Sequence, residues 1–157
     1  MRWWVAVVWI DQLIHEAEKT VDEVEVFYVS GTSVSADLKQ KKVNLATTTE
    51  DCGLGIRTIH KGRIGSSSTN DVSQWRECLN AAIASGKLAT PQEWKGLPET
   101  APLSSAPLSF DESILVTPVV VIDLIKKMLE GAAEHPAEVA SGSASVASSQ
   151  VTLANNR

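Results

Sequence analysis

The run from Gly53 to Asp71, GLGIRTIHKGRIGSSSTND, constrains the fold of this chain more than any other stretch. Leu54, Ile56 and the residues through His60 read as one strand, and Arg63 to Ser67 as its partner. Lys61-Gly62 between them is a two-residue hairpin loop, in which Gly62 supplies a positive φ at no steric cost. Gly53, Gly55 and Gly65 leave strand positions without side chains, the mark of tight packing against a neighbouring element or of backbone approach by an extended peptide. Asn70 and Asp71 then stand as N-caps. Trp75, Cys78, Leu79, Ala82 and Ile83 follow at helical spacing, until Gly86 and Pro91 end the pattern. A hairpin feeding directly into a capped amphipathic helix predicts a sheet with a helix on one face.

The rest of the chain extends that plan. Ile10, Leu13, Ile14, Ala17 and Val21 predict an amphipathic helix over 10–21. The apolar run Met1 to Ile10, with three tryptophans, is too short to cross a bilayer and reads as a buried strand or an unstructured extension. Val24 to Val29 reads as a mostly buried strand, Gly31 as a turn, and Ser33 to Leu38 as a half-buried strand. A turn at Gln40-Lys41-Lys42, a strand from Val43 to Thr48 and a turn at Glu50 to Gly53 complete the series. Four of the six prolines (Pro91, Pro98, Pro102, Pro107) fall between Thr90 and Ser109, which reads as a connector. Thr117-Pro118 opens a helix that stops at His135-Pro136, and Ala137 to Arg157 alternates weakly as strand. The expected fold is α+β: an antiparallel sheet of about five strands over 24–68, with helices 10–21 and 73–88 on one face, followed by a truncated second α/β unit. The expected domains are 1–90, a connector at 91–109, and a truncated unit at 110–157.

Charge and cysteine usage exclude several classes of function. A net charge of −5 argues against a dedicated nucleic-acid binder, which carries a strongly basic face. Acids crowd residues 11–37. A basic island follows at Lys39, Lys41, Lys42, Arg57, Lys61 and Arg63, and it reads as a solvated face or as a site for an acidic partner. Cys52 and Cys78 form no CxxC pair and no disulfide framework, which fits a reducing compartment.

No catalytic motif emerges. His15-Glu16 lacks the second histidine a zinc helix needs, since Lys19 and Thr20 stand one turn on. His60 lies beside a turn and His135 at a helix end, so each has a structural explanation. The serines at 66–68 and 141–149 make no nucleophile elbow, and Gly53-x-Gly55 lacks the third glycine of a dinucleotide fingerprint. Asp123, Glu134 and Glu138 read as solvated charges. No catalytic, cofactor-binding or metal residue is assigned.

The order of features in EVFYVSGTSVSADLKQKKVNLATTTEDCGLGIRTIHKGRIGSSSTND resembles the N-terminal signature of the TldD/PmbA (TldE) family. These are metallopeptidase-like proteins once called modulators of DNA gyrase. The resemblance covers about residues 10–100, more loosely 110–157, and leans toward the PmbA/TldE side. It implies a cytoplasmic N-terminal segment that helps to build the interface and cavity wall of a TldD–TldE-type homo- or heterodimer. It also implies a role in proteolysis and peptide maturation, on a peptide substrate held within the complex. Zinc is expected only in the full-length catalytic partner, on a His-Glu-x-x-x-His helix that no position here matches. The chain is then expected to be a fragment, inactive by itself, with no nucleic acid and no membrane as partner. The alternative is a stand-alone peptide- or protein-binding module, or less readily one associated with DNA or gyrase. Because a truncated second unit leaves strand edges unpaired, the isolated chain is expected to self-associate. Light scattering across a concentration series checks this, and a monodisperse monomer at high concentration contradicts it.

Overall fold

A computed structural model describes residues 3–39, 42–99, 110–134 and 141–157. The elements are α1 (Trp3–Ala17), β1 (Glu23–Lys39), β2 (Lys42–His60), β3 (Arg63–Thr69), a 3-10 turn (Val72–Gln74), α2 (Trp75–Leu88), α3 (Pro118–Ala133) and β4 (Ser141–Asn155). The sheet has four strands in the order β3-β2-β1-β4. The fold is α+β, as the sequence predicts.

Several local expectations are corrected. The Met1 to Ile10 run is helical from Trp3, because no glycine or proline interrupts the ladder before Ala17. Trp9 also finds a partner, meeting the Tyr28 ring edge-on with centroids 5.4 Å apart. The helix ends four residues before the expected Val21. There Thr20 and Val21 both donate to the Ala17 carbonyl, and Asp22 N donates to Ile59 O, which carries the chain into the sheet. Neither Gly31 nor the Glu50–Gly53 stretch is a turn: β1 and β2 run straight through them. Gly31 serves close approach instead. A Cβ there would stand 3.1 Å from the Ser148 carbonyl oxygen. Fusing these segments leaves three strands where the sequence suggested five, and β4 adds the fourth. The turn expected at Gln40-Lys41 and the helix stop at His135-Pro136 lie outside the described residues.

The chain divides into two compact units, one of residues 1–30, 52–104 and 151–157, the other of 31–51 and 105–150. Strands β1, β2 and β4 each contribute residues to both. These units interleave along the sequence, whereas the expected domains were contiguous.

In the first unit, α1 and α2 cover one face of the sheet. Ile10, Leu13 and Ala17 of α1 and Trp75, Cys78, Leu79 and Ala82 of α2 pack with Val24, Val26, Leu54 and Ile56. The hairpin is as predicted: Arg57 opposes Ser66, Thr58 opposes Gly65, and Ile59 opposes Ile64. Lys61 and Gly62 take φ values of 51° and 70°, the left-handed pair that matches the twist of two paired strands. Asp71 caps the following turn, accepting from Ser73 N at 3.0 Å. Gly65 is where α2 is fastened. A Cβ on it would lie 2.1 Å from Ala82 O and 2.4 Å from Gly86 N. Beside it the Ser85 hydroxyl accepts from Ser66 N and lies within hydrogen-bonding distance of Ser66 O, so α2 covers the β3 margin.

The second unit has its own small core. Val34, Ala36 and Leu38 of β1 pack against Val121 and Ile125 of α3, with Ala144 and Val146 of β4 at the side. Thr117 and Pro118 occupy the N-cap and first position of α3, as predicted.

A buried carboxylate organises one end of the first unit. Glu23, 5% exposed, accepts from Trp94 Nε1 at 2.9 Å, Leu97 N at 2.7 Å and Arg157 Nη2 at 2.5 Å. Asn156 closes the same corner: its side-chain oxygen takes Val24 N and its own N–H reaches Val24 O. Burial pushes the Glu23 carboxyl up, and the Trp94, Arg157 and Leu97 donors more than offset this, holding it below its ordinary value.

Two consequences are measurable. Gly65→Ala is expected to cost about 3 kcal/mol, because its methyl would strike backbone rather than a movable side chain. Gly131→Ala on α3, with nothing near its added Cβ, is expected to gain about 0.5–1 kcal/mol. Urea unfolding of both checks the contrast. Because the folded Glu23 value is depressed, its stabilisation is present above 4.5 and is lost as pH falls through the folded-state value. Glu23→Gln is therefore expected to lose about 2 kcal/mol at pH 7, a deficit that shrinks in acid. Unfolding curves at neutral and acid pH check this, and a deficit that does not vary with pH contradicts it.

Candidate functional site

The uncovered face of the first unit's sheet is the candidate site. Strand alternation turns Val24 and Val26 toward the helices and Glu25, Phe27 and Val29 away from them. On β2, Leu54 and Ile56 point inward, which leaves Gly53, Gly55 and Arg57 on the outer face. Added Cβ atoms on Gly55 and Gly53 would fall nearest Phe27 and Val29, so the two glycines lie beside these side chains across the β1–β2 pair. Ala154 of β4 packs toward the core, and Val151 and Leu153 therefore point outward next to β1. Phe27 is 45% exposed, Val151 58% and Leu153 63%. The product is an apolar face with a shallow floor where the two glycines withhold side chains. Arg57 and Glu25 border it with an ion pair at 3.1 Å.

One end of this face is covered. Gln92 N donates to Gly62 O, and Trp94 and Leu97 reach Glu23, which shares the outward register of Glu25 and Phe27. Residues 92–97 thus form a strap across the hairpin end, beyond which Phe27 and Val29 stay open. Phe27 is the correction here: the sequence reading took Val24 to Val29 as mostly buried, because a run this apolar looks two-sided. Glu25 was the one residue that marked its outer face. Val151 and Leu153 were missed as site residues, since strand alternation among serines says nothing about which neighbour completes the face.

The remaining sequence candidates do not converge. His15 is exposed and sits 3.9 Å from Glu18. His60 Nδ1 lies 3.3 Å from Asp22 Oδ1. Asp22 also accepts from Lys61 N at 2.7 Å. That N–H above all, with the His60 imidazole adding to it, holds the Asp22 carboxyl below its ordinary range. Cys78 is buried in the core, and exposed Cys52 donates to Asn70 O. Asp123 pairs with Lys126 on the surface of α3. His135 and Glu138 lie outside the described residues. Among the described residues no three His, Cys, Asp or Glu side chains gather as a metal would require. Of the basic island, Arg57 pairs with Glu25 and Arg63 donates to Ala89 O, Lys39 and Lys42 belong to the other unit, and Lys41 lies outside the described residues. Among the described residues no helix is long and apolar enough to cross a membrane.

Comparison with known proteins agrees with the geometry. Residues 24–86 match the model described as PmbA/TldA metallopeptidase domain 1. Among solved structures, TldE from Thermococcus kodakarensis is similar over 94% of this chain and 34% of its own, with 24% identity and a TM-score of 0.84. A putative modulator of a DNA gyrase from Thermotoga maritima matches 93% of this chain and 34% of its own, with 18% identity and a TM-score of 0.72. A putative modulator of DNA gyrase from Bacteroides thetaiotaomicron matches 92% and 35%, with 19% identity and a TM-score of 0.70. No curated protein matches. The chain spans about a third of the length of these solved relatives. At such identities the likeness to them is one of fold. Residues 24–86 are thus similar to the first domain of the PmbA/TldA metallopeptidase family.

Proposed function

We propose that this chain is a scaffold and assembly segment of a TldD/TldE-type zinc metallopeptidase complex acting in proteolysis and peptide maturation in the cytoplasm. In this reading it supplies surface, and the zinc chemistry belongs to the full-length catalytic subunit. One observation carries the reading: Phe27, within the stretch that matches the family's first domain, stands exposed on the open sheet face with Val151 and Leu153 of β4. Contiguous apolar surface of this kind favours burial against another polypeptide. Phe27, an aromatic at the centre of the face, is suited to be its anchor. The glycine floor would let a partner's backbone approach closely, whether a subunit or a peptide.

Co-expression with a full-length TldD-type subunit, followed by size exclusion with light scattering, tests this. A stable one-to-one complex is expected, and Phe27→Asp or Leu153→Asp is expected to weaken it about thirtyfold while the variants still fold. Absence of a complex overturns the proposal, as does a complex indifferent to both substitutions. Peptide capture by the chain without a partner would favour the stand-alone binding module instead.

A further inference from the structure

A cavity of about 150 Å³ opens on the helix-covered side of the hairpin, where the end of α1, the hairpin arms and the last turn of α2 meet. Its walls include Val21, Thr58 and Ile83, and its lining also takes in His60, Arg63 and Lys87. We propose that it binds a carboxylate carried on a small apolar group, the chemistry of the C-terminal residue of a peptide.

Size and polarity argue for the apolar part. An apolar cavity of about this volume holds a group the size of benzene, hence a leucine or phenylalanine side chain but not a long acyl chain. Val21 and Thr58 are largely buried and Ile83 is half-buried, so the inner wall is apolar while the mouth, at Lys87, is open to solvent. A wholly polar anion such as phosphate would leave these walls unmatched.

The charges argue for the carboxylate. Arg63 and Lys87 bring two basic side chains to the lining, and the lining includes no acid. Arg63 spends Nη1 on Ala89 O, and guanidinium has further donors to offer. The α2 C-terminus disfavours an anion there, and Lys87 in its last turn offsets that. Lys87 is exposed and forms no ion pair among the described residues. Asp22, next in sequence to the lining residue Val21, accepts from Lys61 N and lies 3.3 Å from His60 Nδ1. This site lies away from the outer face, so its failure leaves the assembly reading untouched.

Calorimetric titration of the whole chain provides the test, with N-acetyl-leucine, its amide, and an acetylated tetrapeptide ending in leucine with a free carboxylate. The free acids are expected to bind about tenfold more tightly than the amide. Lys87→Gln should remove most of that preference and leave amide binding unchanged. Lys87 is on the surface, so this variant is expected to fold. Ile83→Trp, which fills the cavity, should abolish binding of all three. Tighter binding of the tetrapeptide identifies a peptide terminus as the source, and binding of N-acetyl-leucine alone identifies a small free acid. Equal binding of acid and amide overturns the proposal, as does an unchanged preference in Lys87→Gln or no saturable binding up to about 20 mM.

Discussion

The backbone contact of Gly65 with Gly86 sets the geometry of the first unit. With no Cβ on either residue, α2 settles onto β3 at a separation that any side chain would enlarge. That closeness lets Ser85 reach the backbone of Ser66, so the β3 margin of the sheet is covered. It also brings Trp75, Cys78, Leu79 and Ala82 down onto Leu54 and Ile56, which form the core against which α1 packs. The cavity under the hairpin has Gly86 in its wall, so its shape depends on the same contact.

The other side of the sheet has a different logic. There the strap at 92–97 covers only the hairpin end, held by Glu23, and the face beyond it stays apolar and open. On this face Arg57 and Glu25 supply charge only at the border. β4 has no charged residue from Ser141 to Asn155, so it too lacks the usual guard against pairing. These are the features on which the proposed assembly role rests.

Much of the fold was legible because local rules and tertiary packing agree there. The Lys61-Gly62 turn, the Asp71 cap, the α2 stripe and the Thr117-Pro118 start each depend on a few neighbouring residues. The errors share a cause as well. Gly31 and Gly53 look like turns in sequence, yet each sits in extended strand, because what they accommodate lies far along the chain or on the neighbouring strand. The candidate face was half legible: Phe27 and the two glycines were in view, but their exposure was not.

The hairpin, the Asp71 cap, the α2 stripe and the family resemblance could be read from the chain alone, since each is written in residues close together. Only the tertiary structure decided that β4 flanks β1, that Val151 and Leu153 join Phe27, and that Glu23 gathers Trp94, Leu97 and Arg157. Those pairings span more than a hundred residues in places. A strand's pattern states which side is apolar but not which strand will lie beside it, so the surface this protein presents is a property of the folded sheet.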